Sequence, residues 1–296
     1  MKTFKPLAAA VLLAASSSVL AANLGIQAQA GFGNFQDLDQ SGPGVDNNLT
    51  IQAQLGNLNF QLADQDDGEN NSAIFQVQVG AFNFADTLQS GGAGNTAFSL
   101  QLGTGNVALT NQVTQFGSTA TVLQFGGPLN VASINQVLGI ANDAFVIQAG
   151  AFNDADINQV LSLGSNSFIG QFGDGNDATS NQVATLATDS VILQFGEDNM
   201  ATHNQVLALG SDAWSLQFGE DNVSNINQVL SLGDTAVNLQ IGESNTSTIN
   251  QFFSVGSFAA TVQFGDGNIH TTTQIGAFEN AFALQIGDNN VGVITQ

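Results

Sequence analysis

Cysteine, tyrosine and arginine are absent from the 296-residue chain, and its basic side chains other than histidine are Lys2 and Lys5 alone. Without cysteine there are no disulfide frameworks, thiol nucleophiles or cysteine-based zinc sites. Two lysines against 24 acidic residues cannot neutralise a phosphate backbone, which excludes nucleic acid as a partner. The same repulsion excludes anionic membrane surfaces. Charged residues make up 9% of the chain and apolar residues 43%, a balance unlike a charge-rich disordered tail and unlike an ordinary globular enzyme. Length alone leaves room for one or two domains with sizeable cores.

Both lysines belong to the opening segment. Met1 to Pro6 is short and basic, Leu7 to Ala15 is apolar, and Ser16-Ser17-Ser18 leads into Val19-Leu20-Ala21. This layout predicts a secretory signal peptide over residues 1–21, cut after Ala21. A bilayer span needs about 20 apolar residues, and this run is shorter and broken by serines, so no membrane insertion is expected. Cleavage would take the formal charge from −22 to −24.

What remains, residues 22–296, is one repeat. Its first column is Gln29, Gln54, Gln78, Gln101, Gln124, Gln148, Gln171, Gln194, Gln217, Gln240, Gln263 and Gln285, at intervals of 22 to 25 residues. Gly follows each of these two residues on. Asn follows five residues on, as Asn34, Asn59, Asn83, Asn106, Asn153, Asn176, Asn199, Asn222, Asn245, Asn268 and Asn290, with Asn130 one place later. Six residues beyond each Asn stands a second Gln: Gln40, Gln65, Gln89, Gln112, Gln136, Gln159, Gln182, Gln205, Gln228, Gln251, Gln274 and Gln296. The unit Gln-x-Gly-x-x-Asn-x5-Gln occurs twelve times and leaves no room for a second domain.

Each unit reads as strand, tight corner, strand, tight corner. Thr235 to Ile241 is rich in β-branched and aliphatic residues and stops at Gly242, where Gly242-Glu243-Ser244-Asn245 suits turn geometry. Ser224 to Leu232 forms the second strand, ending at Gly233. Helix is excluded by glycine recurring about every eleven residues and by the lack of a 3.6-residue apolar stripe. Pro43 and Pro128 fall in corners, where a missing donor does least harm. The expected fold is all-β: a cross-β solenoid of twelve strand-arc-strand rungs, about 55 Å long at about 4.8 Å per rung. Gln and Asn columns would then stack as amide ladders, each amide donating to the rung below and accepting from the rung above, which provides buried amides with partners. Asn111, Asn135, Asn158, Asn181, Asn204, Asn227 and Asn250 form a further, outward column.

Alternation in the second strand places Ser224, Ile226, Gln228, Leu230 and Leu232 in the core. The first strand is ambiguous. Its large residues (Phe145, Phe168, Val191 and Trp214; Leu193, Leu216 and Leu239; Phe172, Phe195 and Phe218) alternate with Gln, so it buries either its aromatics or its glutamines. An outward Phe-rich face would be an association surface.

Glu197, Glu220, Glu243, Asp266 and Asp288 share one corner column, with Asp198 and Asp221 beside it. Stacked carboxylates with no cation repel one another, which favours a solubility device. Weak Ca²⁺ capture is the alternative, but the calcium nonapeptide Gly-Gly-x-Gly-x-Asp is absent. His203 and His270 fall in different columns, so no paired metal site is expected. Neither carries a catalytic motif, and Trp214 reads as packing. Regular corners leave no long loops to wall a groove. No enzyme, catalytic residue, metal or cofactor is expected.

The pattern Ser-x5-Gln-x-Gly-x-x-Asn-x-Ala-x3-Gln resembles the curlin repeat, the unit of bacterial curli amyloid subunits. Ser211, Gln217, Gly219, Asn222 and Gln228 match it, with Ser224 for Ala. Gln194, Gly196, Asn199, Ala201 and Gln205 match it with Thr188 in the Ser place. The resemblance covers Asn23 to Gln296 and implies a secreted subunit that stacks end to end into extracellular fibres of the biofilm matrix, inward Gln and Asn ladders, and as partners a nucleator subunit and an outer-membrane secretion pore. It also favours inward Gln in the first strand. The chain departs from the family in three ways. It has more repeats than the short family subunits. It lacks the usual non-repeat targeting segment after the signal peptide, for which the acidic opening rungs (Asp37, Asp39, Asp64, Asp66 and Asp67) could substitute. Its lack of basic residues suits a bulk subunit better than a nucleator. No capping sequence is recognisable at either end of the repeat, so open edges are expected. Two rival classes are a soluble solenoid binding module, of ice-binding or calcium-dependent adhesin type, and a polysaccharide-active β-helix enzyme. The column Thr179, Thr202, Thr248 and Thr271, broken by Asn225, weakens the ice-binding form.

Overall fold

The computed structural model describes residues 23–296, and the expected signal peptide lies outside the described residues. The described chain is all strand and corner, with 24 strands, β1 to β24 in chain order, and no helix. The odd-numbered strands form one 12-stranded sheet and the even-numbered strands another, each hydrogen-bonded in chain order. Every pairing is parallel, and equivalent residues meet, as in Gln194↔Gln217 and Gly196↔Gly219. The chain is the β-solenoid its repeat predicts: one unit is one rung, and the two sheets face each other across the core.

The eighth rung shows the plan. β15 (Asp189–Glu197) and β16 (Met200–Val206) alternate buried and part-exposed residues. Ser190, Ile192 and Gln194 point inward from one strand, and Ala201, His203 and Gln205 from the other. The core is therefore mixed. A column of isoleucines (Ile134, Ile157, Ile226 and Ile249 among them) lies beside alanines and fully buried glutamines. Core thickness explains the small partners, since Ala leaves space for the longer side chains crossing from the opposite sheet.

The first-strand ambiguity resolves with Gln inward and the large residues outward. Outside, the aromatics stack on one another: Phe172–Phe195 at 4.9 Å between centroids and Phe195–Phe218 at 5.0 Å, with rings 9° and 3° from parallel. Phe145–Phe168 stacks likewise at 5.3 Å. Rung spacing imposes this face-to-face geometry on any repeated aromatic.

The second strand needs a correction. It ends at Val229, and Leu230 and Leu232 are exposed rather than buried. Leu230 takes φ 55°, which shifts the alternation and sends Ser231 into the core instead. Leu138, Leu161 and Leu207 take the same left-handed conformation, and the neighbouring column Ile140, Leu163, Leu186, Leu209 and Leu232 bridges rung to rung. The result is an apolar ridge along one edge of the rod.

Candidate self-assembly site: amide ladders and open ends

Three ladders carry the named residues. In the first Gln column, each Nε2 donates to the Oε1 of the next, higher-numbered rung. The run is unbroken from Gln54 through Gln78, Gln101, Gln124, Gln148, Gln171, Gln194, Gln217, Gln240 and Gln263 to Gln285, at 2.7–2.9 Å. The second column runs in the same sense from Gln40 to Gln296 through every rung, including Gln112, Gln136, Gln159, Gln182, Gln205, Gln228, Gln251 and Gln274. The amide nitrogens also close the corners. Gln194 Nε2 lies 2.9 Å from the Asn199 carbonyl, and Gln205 Nε2 lies 2.7 Å from that of Ser211. These glutamines are fully buried except at the two ends, where Gln40 is part-exposed, Gln285 is 9% exposed and Gln296 is open to solvent.

The Asn ladder runs the opposite way, a polarity that the expectation of uniform amide donation missed. Asn199 donates its backbone N–H and its Nδ2 to Asn176 Oδ1, at 3.2 and 3.0 Å, while Nδ2 also reaches the Gly219 carbonyl at 2.8 Å. One side chain thus ties three rungs. The backbone link repeats along Asn106, Asn130, Asn153, Asn176, Asn199, Asn222, Asn245, Asn268 and Asn290. Asn130 keeps it across the lengthened corner Gly126 to Leu129, with Nδ2 2.8 Å from the Gly150 carbonyl. Outside, Asn158, Asn181, Asn204, Asn227 and Asn250 link at 2.9–3.0 Å, as do Asn111 and Asn135.

A fourth ladder closes the opposite corner. Its occupants include Asn95, Ser118, Asn142, Ser165, Ser211, Asp234 and Ser257, each buried, each six residues after a second Gln. Side-chain oxygens accept the backbone N–H of the following rung, as in Ser118 N–H to Asn95 Oδ1 at 3.1 Å and Ser257 N–H to Asp234 Oδ1 at 2.7 Å. The Asp234 carboxylate also accepts the Ser254 hydroxyl. Thr188 belongs to the same column, with its hydroxyl 3.1 Å from Ser165 Oγ.

The acidic corner column is exposed, and two of its members bond backwards. Asp266 Oδ1 accepts the Glu243 N–H at 3.1 Å, and Asp288 Oδ1 accepts that of Asp266 at 3.3 Å. On the outer face of the opening rungs, burial pushes the Asp64 carboxyl up to about 6, helped by repulsion from Asp66, Asp39, Asp86 and Asp37. His203 sits in the core between Ser190 Oγ at 2.9 Å and Ser215 Oγ at 2.7 Å, and burial pushes its imidazole down to about 3.

At the ends the ladders stop. No described strand pairs with the outer edges of β1 (Leu24–Phe32) and β2 (Phe35–Asp39), or of β23 (Asn280–Ile286) and β24 (Val291–Thr295). Inward-facing Gln27 and Gln29 are exposed at one end, and Gln296 at the other.

No protein-family model matches the chain, and no curated protein matches it.

Proposed function

We propose that the chain is a secreted structural subunit that polymerises head to tail into extracellular, curli-like functional amyloid fibres of a bacterial biofilm matrix, supporting adhesion and aggregation. The observation that carries this reading is the polarity of the ladders, which run to the two unpaired edges of the described solenoid. The last rung offers Gln amide hydrogens and an Asn oxygen; the first rung offers Gln oxygens and the Asn34 backbone N–H, its side-chain amide being engaged by the Ala30 and Gly56 carbonyls. Joining unlike ends continues the second Gln ladder and the Asn ladder, whereas joining like ends sets donor against donor or acceptor against acceptor. Unlike-end joining does not close on itself, so it produces a filament. The resemblance to the curlin repeat supports the same reading, with a nucleating subunit and an outer-membrane secretion pore as partners, and a bulk-subunit role for this chain.

Seeded growth tests it. The chain from Ala22 should show a lag in thioflavin fluorescence that preformed fibre fragments abolish. Gln217→Ala or Gln228→Ala orphans two neighbouring amides within the core and should slow growth more than Glu220→Ala, which alters an exposed corner. Equal tolerance at all three positions would count against the ladders as the assembly element. A β-rich monomer that never grows would move the assignment to a soluble solenoid binding module.

A further inference from the structure

One core column ends differently from all the others. It holds Gln36 and Gln61 in the opening rungs, alanines from Ala85 to Ala201, then Ser224 and Ser247, and His270 and Gly292 in the last two. His270 is 3% exposed; its Nε2 lies 3.1 Å from Thr272 Oγ1, and its buried Nδ1 has no partner among the described residues. Gly292 stands directly against it, where a Cβ would come within 2.6 Å of Nδ1 and 3.2 Å of Gln285 Nε2. A hollow of about 490 Å³ opens there, lined by His270, Ala283, Gln285, Gly292 and Ile294.

At the other end, Gln36 occupies the same column. Its Nε2 donates to Gln61 Oε1 at 2.9 Å and to the Ala28 carbonyl at 3.3 Å, so both amide hydrogens are engaged. Its Oε1 is buried and has no partner among the described residues. Along the second Gln column each Oε1 from Gln65 onward accepts from the preceding rung, and no described rung precedes Gln36.

We propose that the head-to-tail joint is keyed: Gln36 of one copy lies over Gly292 of the copy before it, and its Oε1 accepts a hydrogen bond from His270 Nδ1–H. The inference rests on the polymer reading above and specifies its contact. The two orphan atoms are chemically matched. With the Thr272 hydroxyl donating to Nε2, the imidazole proton sits on Nδ1, and the waiting Gln36 oxygen can only accept. Glycine supplies the room, because the His and Gln side chains must meet across the rung between them. The stacked copy would also fill the hollow, removing two unpaired polar atoms from the core at once.

Two-colour fluorescence microscopy of seeded growth tests the key by direction. Wild-type chains are added to seeds made of wild-type, His270→Ala or Gln36→Ala protein. His270→Ala seeds should take up their first wild-type chain about five- to tenfold more slowly at one end, the equivalent of one buried hydrogen bond, and then extend at the wild-type rate. Gln36→Ala seeds should slow to the same degree at the opposite end. If wild-type fibres grow at a single end, one variant seed should slow and the other should match wild type. A general folding defect would slow both ends of one seed, and that outcome, or slowing by both variants at the same end, would overturn the key. Failure of wild-type seeds to extend at all would overturn the polymer reading, and the key with it.

Discussion

Gly219 meets two demands at once. Its φ of 119° lies outside the range of side-chain-bearing residues, and a Cβ would fall 2.0 Å from the Gly242 carbonyl oxygen of the next rung. Gly233, in the opposite corner, has φ 67° and open space around it. Gly219→Ala should therefore cost more than about 3 kcal/mol, while Gly233→Asn should cost about 1 kcal/mol or less. Denaturant midpoints of the soluble chain decide the matter, and comparable losses would contradict the packing argument. Two titrating residues give a second residue-scale test. His203 is held neutral down to about pH 3, so below its ordinary value of 6.5 the unfolded chain takes up a proton that the folded chain refuses, and stability falls with pH through that window. Asp64 acts in the opposite sense. Its folded value of about 6 stands above the ordinary 3.8, so its contribution is full below 3.8 and is lost as pH rises through 6. Asp64→Asn should raise the denaturant midpoint at pH 7 and remove part of any gain on acidification, whereas His203→Ile should flatten the acid-side decline. Unchanged pH profiles in both variants would contradict these assignments.

At the scale of the strand and corner, the two corners differ in how they were legible. The Gly-x-x-Asn corner repeats its residue types and could be read directly. The opposite corner uses Asn, Ser, Thr and Asp for one task, so its ladder is a column of shared chemistry without shared identity, and only Thr188 and Ser211 drew notice through the curlin pattern. The phase change at Leu230 was hidden for a related reason: leucine carries none of the glycine or asparagine signal for a left-handed backbone. The inward face of β15 and its counterparts was open because both phases are regular, one in Gln and one in Phe, Leu and Val. A core that satisfies nearly all of its ladder amides by rung-to-rung bonding makes the Gln face the buried one. The left-handed leucines give the element-scale prediction. Leu207 has φ 53° and is 47% exposed, so Leu207→Gly relieves about 1 kcal/mol of backbone strain against a similar entropic cost. It should leave stability unchanged or slightly raised, while Ile192→Ala in the core should cost about 2–5 kcal/mol. A large loss from Leu207→Gly would mean that the apolar ridge contributes packing its exposure does not suggest.

For the whole molecule, the described residues make twelve rungs of cross-β rod in two parallel sheets. A fibre built by continuing that rod differs from an amyloid in which every chain supplies a single layer. At about 4.8 Å per rung, the solenoid advances the axis by about 58 Å per chain, whereas a one-layer amyloid advances by one strand spacing. Mass per unit length, measured by scanning transmission electron microscopy on fibres of the chain from Ala22, separates the two. The account predicts one chain per about 58 Å of single filament. One chain per strand spacing, or no filament under conditions where the chain is folded, would contradict it.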